Sequence, residues 1–103
     1  MPHIAIDYDK EKLRDFCHKW KITEFSLFGS VVRDDFGPES DVDVMVTFAA
    51  DARRSLFDMV HMEDELVEIF GRDVDLMTRR SIERSRNFER RESILTNAVS
   101  VEL

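Results

Sequence analysis

The order of hydrophobic periodicities predicts an α/β fold, with helices around a small central sheet. Three observations carry this. Stripes at helical spacing alternate with short runs at period two, giving strand, helix, strand, helix, strand after a first helix. Turn residues, Gly29-Ser30, Gly37-Pro38 and Gly71, fall between them. At 103 residues the chain is expected to form one domain, residues 1–103, with a single core.

Taken in order, Leu13, Phe16, Cys17 and Trp20 recur at i, i+3, i+4 and i+7, so residues 9–20 read as an amphipathic helix. Asp7 or Asp9 is its N-cap. Ile22 to Phe28 reads as the first strand, with Glu24 and Ser26 alternating outward. Gly29-Ser30 ends it, and Ser30 can cap a short helix through Val31, Val32 and Arg33. Asp34 to Ser40 is a loop. Residues 41–48 form the second strand, with Val42, Val44 and Val46 on one face and Asp41, Asp43 and Met45 on the other. Ser55 caps a helix carrying Leu56, Met59, Val60, Leu66, Val67 and Phe70, and Gly71 fits its C-terminal turn. Asp73 to Met77 is the third strand. From Ser81 the chain reads as helical, with Ile82, Phe88, Ile94 and Leu95 buried, and residues 98–103 close as a short strand or a frayed tail.

Composition narrows the function classes. Hydrophobic residues make up 43% and charged residues 36%, which describes an ordinary globular chain. No apolar run is long enough to span a bilayer and no leader pattern opens the chain, so a cytoplasmic address and no membrane partner are expected. The lone Cys17 excludes an intramolecular disulfide and a cysteine zinc cluster, and it reads as core. His3, His18 and His61 are scattered without ligand spacing and read as surface.

The net charge of −7 is uneven. Residues 1–75 hold 18 acidic and 9 basic side chains, whereas residues 76–103 hold 4 and 6. The six are Arg79, Arg80, Arg84, Arg86, Arg90 and Arg91. An acidic chain is a poor bulk binder of nucleic acid. The arginine segment reads foremost as a solvated face laced with Glu83, Glu89 and Glu92, and secondly as a site for an acidic partner or nucleotide phosphates.

The chemistry lies in Asp41-Val42-Asp43. On a strand these two aspartates share a face about 6–7 Å apart, and like charges that close repel unless a cation stands between them. Asp73 and Asp75 repeat the pattern. If the second and third strands are neighbours, Asp75 faces Asp41 and Asp43, and three carboxylates could hold Mg²⁺, which takes one or two carboxylates plus phosphates and waters. Two ions about 3.5–4 Å apart would steady an in-line phosphoryl transfer, with one carboxylate accepting the nucleophile's proton. Gly29-Ser30 supplies close backbone approach and helix N-terminal amides for a phosphate. Arg33 adds a charged fork there or pairs with an acidic neighbour. Each piece alone is common at turns and strand ends; their conjunction is specific.

Gly29-Ser30-Val31-Val32-Arg33 followed by Ser40-Asp41-Val42-Asp43-Val44 resembles the signature of the DNA polymerase β-like nucleotidyltransferase superfamily, and within it the minimal nucleotidyltransferases. The resemblance spans nearly the whole chain. It implies a small mixed sheet flanked by helices. It also implies Asp41, Asp43 and Asp75 as ligands of Mg²⁺, in the form of two ions, and as the catalytic carboxylates, with Asp75 the base. Gly29, Ser30 and Arg33 would bind the nucleoside triphosphate. Val32 and Asp34 depart from the small residue and glycine that usually flank that arginine.

The resemblance further implies transfer of a nucleoside monophosphate, AMP from ATP, to a hydroxyl. Minimal members pair with small helical HEPN toxins in toxin–antitoxin modules, so the acceptor expected first is a tyrosine of such a toxin, with this chain as antitoxin. Two other readings stand beside it: transfer to an aminoglycoside-like small molecule through an oligomeric site, and neutralisation of the partner by binding alone. A homo- or hetero-oligomer is compatible with each.

Overall fold

The computed structural model describes residues 7–32, 37, 40–52 and 55–101. Helix α1 (Lys10–Lys19) starts at Asp9, whose carboxylate accepts from the Glu11 and Lys12 amides, so Asp9 rather than Asp7 is the cap. Strand β1 (Ile22–Phe28) runs into a 3₁₀ turn (Gly29–Val32). Strand β2 (Val42–Phe48) leads to α2 (Leu56–Phe70). That helix opens with a capping box in which Ser55 and Asp58 exchange side chain-to-backbone bonds, and it ends at Gly71 in the left-handed region, φ 69. Strand β3 (Val74–Thr78) passes directly into α3 (Arg79–Glu83), and α4 (Phe88–Asn97) returns to β4 (Val99–Ser100). The last segment is therefore a strand, and the helical stretch expected from Ser81 begins at Arg79 and divides into two helices.

The sheet order is β3-β2-β1-β4. Strand β1 is antiparallel to β2 and β4, whereas β2 and β3 are parallel, joined by α2 as parallel strands require. The sheet is thus mixed. Helices α1 and α2 cover one face, burying Leu13, Phe16, Met62, Leu66 and Phe70 on Phe25, Leu27, Val42, Val44, Val46 and Val74. On the other face Ile82 of α3 and Ile94 of α4 bury Phe28 and Met45. The second cluster explains why Ser26 is buried rather than turned to water: its face lies under cover, and its hydroxyl is 3.5 Å from that of Ser100.

Several expected core positions stand outside it. Leu56 and Val60 on α2 are exposed, as is Phe57 beside them, and the buried stripe of that helix is Met62, Leu66 and Phe70. Phe88 is 63% exposed: it is the first residue of α4, and its ring is covered by the Arg91 guanidinium, 4.7 Å away, instead of by the core. Trp20 is half-buried and donates from Nε1 to Glu65, so it caps the core edge. His18 and His61 are exposed, as expected; His3 lies outside the described residues. Among the described residues no helix is long and apolar enough to cross a membrane.

Candidate active site

The three functional segments meet at one end of the sheet. Strand β1 ends there as β2 and β3 begin, because β1 runs against both. Register fixes the neighbours: Phe28 lies opposite Asp43, and Asp43 lies opposite Asp75. Adjacent strands are about 4.8 Å apart and partners in register share a face. Asp43 and Asp75 therefore sit side by side on the face away from α1 and α2. Asp41 precedes β2 by one residue and is exposed, as is Asp75, while Asp43 is half-buried.

The Gly29 turn closes on that pair. Gly29 has φ +74, a conformation L side chains rarely adopt. A methyl group placed on it would meet Oδ2 of Asp43 at 2.2 Å. The Asp43 carboxylate thus rests on the bare glycine backbone, and Ser30 follows as the second residue of the 3₁₀ turn. The carboxylate and the glycine turn are one packed unit. Arg33 lies outside the described residues.

Two contacts hold Asp41 and Asp43 in place. The Val42 amide donates to the Asp73 carbonyl at 2.9 Å, starting the parallel ladder. The Arg72 guanidinium donates to the carbonyls of Gly37 at 2.6 Å and Ser40 at 3.3 Å, fastening the segment ahead of Asp41. Behind β3, Glu63 of α2 senses the same negative field. Its carboxyl is raised above the usual range by burial first, then by Asp75 and Asp64.

A cavity of about 450 Å³ opens over this junction. Phe28, Gly29, Val32 and Asp43 line one side, and Arg90, Ser93, Ile94 and Asn97 of α4 line the other. A larger cavity of about 570 Å³ lies at the opposite end of the sheet, by Lys21, Ile22 and Ala49. It lacks a glycine turn, whereas the smaller one holds Gly29 and Asp43; Asp41 and Asp75 stand outside the lining of both. Sequence reasoning singled out Gly29, Ser30, Asp41, Asp43 and Asp75. It named Arg90 only within the arginine segment, as a second reading for nucleotide phosphates, and gave Ser93, Asn97 and Glu63 no place in the site. A polar stripe at i, i+3 and i+7 on α4 was the available signal for the first three.

A hard divalent cation fits this donor set. Asp43 and Asp75 offer anionic oxygens from adjacent strands, and Asp41 a third two residues away. Among the described residues no three His, Cys, Asp or Glu side chains are gathered as a ready-made metal cage. An ion such as Mg²⁺ held at Asp43 and Asp75 would have to complete its shell with waters and substrate phosphates.

Comparison with known proteins bears on the family. The family model described as "Nucleotidyltransferase domain" matches residues 9–101. The chain is 34% identical over 79 residues to the Methanocaldococcus jannaschii protein named "Putative protein adenylyltransferase MJ0435", covering 77% of this chain and 83% of that one. It is 33% identical over 73 residues to the protein adenylyltransferase MntA of Thermococcus cleftensis, covering 71% and 69%. A solved structure described as "putative minimal nucleotidyltransferase" superposes with TM-score 0.68 at 26% identity, over 89% of this chain and 88% of the other. A crystal structure of a toxin–antitoxin with AMP-PNP gives TM-score 0.66 at 20% identity, over 89% and 71%, a likeness of fold.

Proposed function

The chain belongs to the nucleotidyltransferase domain family, and from that premise we propose that it moves AMP from ATP onto a tyrosine hydroxyl of a small helical partner toxin of the HEPN type. The enzyme is a nucleotidyltransferase; the nucleotide, metal and acceptor are this proposal's own. Relatives named as protein adenylyltransferases and a toxin–antitoxin of the same fold with AMP-PNP support a protein acceptor and an adenine nucleotide.

One observation carries the reading: the Asp43 carboxylate packs on Gly29, uniting a carboxylate pair with a phosphate-type turn. In the transfer the acceptor oxygen attacks the α-phosphorus, the bond to the β-phosphate's bridging oxygen breaks, and pyrophosphate leaves with the electron pair. Asp41, Asp43 and Asp75 would hold Mg²⁺, which when bound neutralises phosphate charge and polarises the reacting phosphorus. The Gly29-Ser30 amides and the Ser30 hydroxyl orient the triphosphate. Asp75, exposed beside Asp43, takes the acceptor's proton. Arg33 adds a charged donor to the same phosphates.

The test is incubation with ATP labelled at the α-phosphate, Mg²⁺ and the protein product of the neighbouring gene. Label on that protein, lost in Asp43→Ala, is the expected result. Label only on a small alcohol would move the acceptor to a small molecule, and a tight complex with no label anywhere would make the chain a binding antitoxin.

A further inference from the structure

The arginine-rich segment divides by what its side chains meet. Arg79 pairs with Glu83 at 3.6 Å and reaches Glu24 at 4.0 Å. Arg91 pairs with Glu92 at 3.8 Å and stacks on Phe88. These behave as a solvated, ion-paired face. Arg90 differs. Like those of Arg80, Arg84 and Arg86, its side chain makes no ion pair or hydrogen bond among the described residues, but it alone of the four lines the cavity that holds Gly29 and Asp43. It is the one cation among the described residues lining that cavity. Helical spacing brings Ser93 and Asn97 to the same side, although the Asn97 amide already donates to the Ser93 carbonyl at 2.9 Å. Ile94, in the same helix, anchors α4 to Phe28 and Met45. The helix is therefore anchored beside the cavity, and Arg90 lines its α4 wall.

We propose that Arg90 is the phosphate-binding group of the α4 wall, taking the β- and γ-phosphates of the nucleotide across the cavity from Gly29. The proposal rests on the nucleotidyltransferase reading above. A triphosphate entering beside Asp41, Asp43 and Asp75 brings further negative charge into an acidic corner, and a fixed cation on the far wall offsets it. The guanidinium fork matches phosphate oxygens with two parallel donors. Negative charge grows on the pyrophosphate as the α–β bond breaks, so the same contact strengthens along the reaction.

Equilibrium binding of ATP, inorganic tripolyphosphate and AMP, each with Mg²⁺, tests this in the whole chain. Arg90→Ala is expected to weaken ATP and tripolyphosphate about tenfold or more and to leave AMP within about twofold, with Arg90→Lys recovering part of the loss. Because Arg90 is exposed on its helix, the circular dichroism of both variants should match the parent. Equal losses for AMP and ATP would assign Arg90 to the nucleoside or the α-phosphate and overturn the proposal. ATP binding that Asp43→Ala abolishes and Arg90→Ala leaves intact overturns the role of Arg90 alone. A parent chain that does not bind ATP with Mg²⁺ overturns the transferase reading and this proposal with it.

Discussion

At the scale of single residues, the site depends on what Gly29 lacks. Gly29→Ala forces a side chain into the left-handed region and against Asp43 Oδ2. A loss of about 1–3 kcal/mol in urea unfolding is expected, together with lost transfer activity. Asp43→Ala should behave oppositely on stability, because it removes one of two carboxylates in register. Its midpoint should equal or exceed the parent's while transfer is abolished; loss of folding with activity retained in the soluble fraction would contradict this. Cys17 is buried and its thiol is pushed up to about 11, so it should stay unreactive toward a thiol reagent until the chain unfolds. Gly29 and the aspartates were legible because carboxylates in an apolar strand and a glycine at its turn are local signals. Arg90 was legible only as one of six arginines open to nucleotide phosphates, because only the return of α4 over Phe28 and Met45 brings it near Asp43.

At the scale of elements, the parallel pairing of β2 with β3 puts Asp43 beside Asp75, and α2 is the connection that makes it. Period-two alternation and the Ser55 and Gly71 caps made these elements readable. Their order in the sheet was not, since strand adjacency is decided by long-range packing. Leu56 and Val60 fit a helical stripe in sequence, yet Leu56 precedes Met59, where α2 first meets the core, and Val60 stands off the stripe of Met59, Met62, Leu66 and Phe70. The Arg72 contacts are equally invisible in sequence, because they join residues 32 and 35 positions apart. Arg72→Ala should free the segment ahead of Asp41, costing about 1–3 kcal/mol. Hydrogen exchange should rise first at the amides of Ser40 and Val42; unchanged exchange there would show that the ladder alone sets that segment.

For the whole molecule, the distribution of charge matters more than the total of −7. Asp41, Asp43, Asp73 and Asp75 gather where β2 and β3 begin, and the Glu63 carboxyl is raised by burial first, then by Asp75 and Asp64. A carboxyl raised on folding favours the folded state below its unfolded value, 4.5, and this advantage is lost as pH rises through the folded value. Glu63→Gln should therefore melt higher than the parent near neutrality, with the gap closing as pH falls below that of an unfolded glutamate. A gap that persists in acid would assign the effect to packing.

The most direct measurement is calorimetric titration of the chain with a non-hydrolysable ATP analogue, with and without Mg²⁺, in parent, Asp43→Ala and Asp75→Ala. The account predicts saturable binding in the parent that requires Mg²⁺ and is lost in both variants while their folds persist. Binding that survives in Asp43→Ala and Asp75→Ala, or that is indifferent to Mg²⁺, would contradict it.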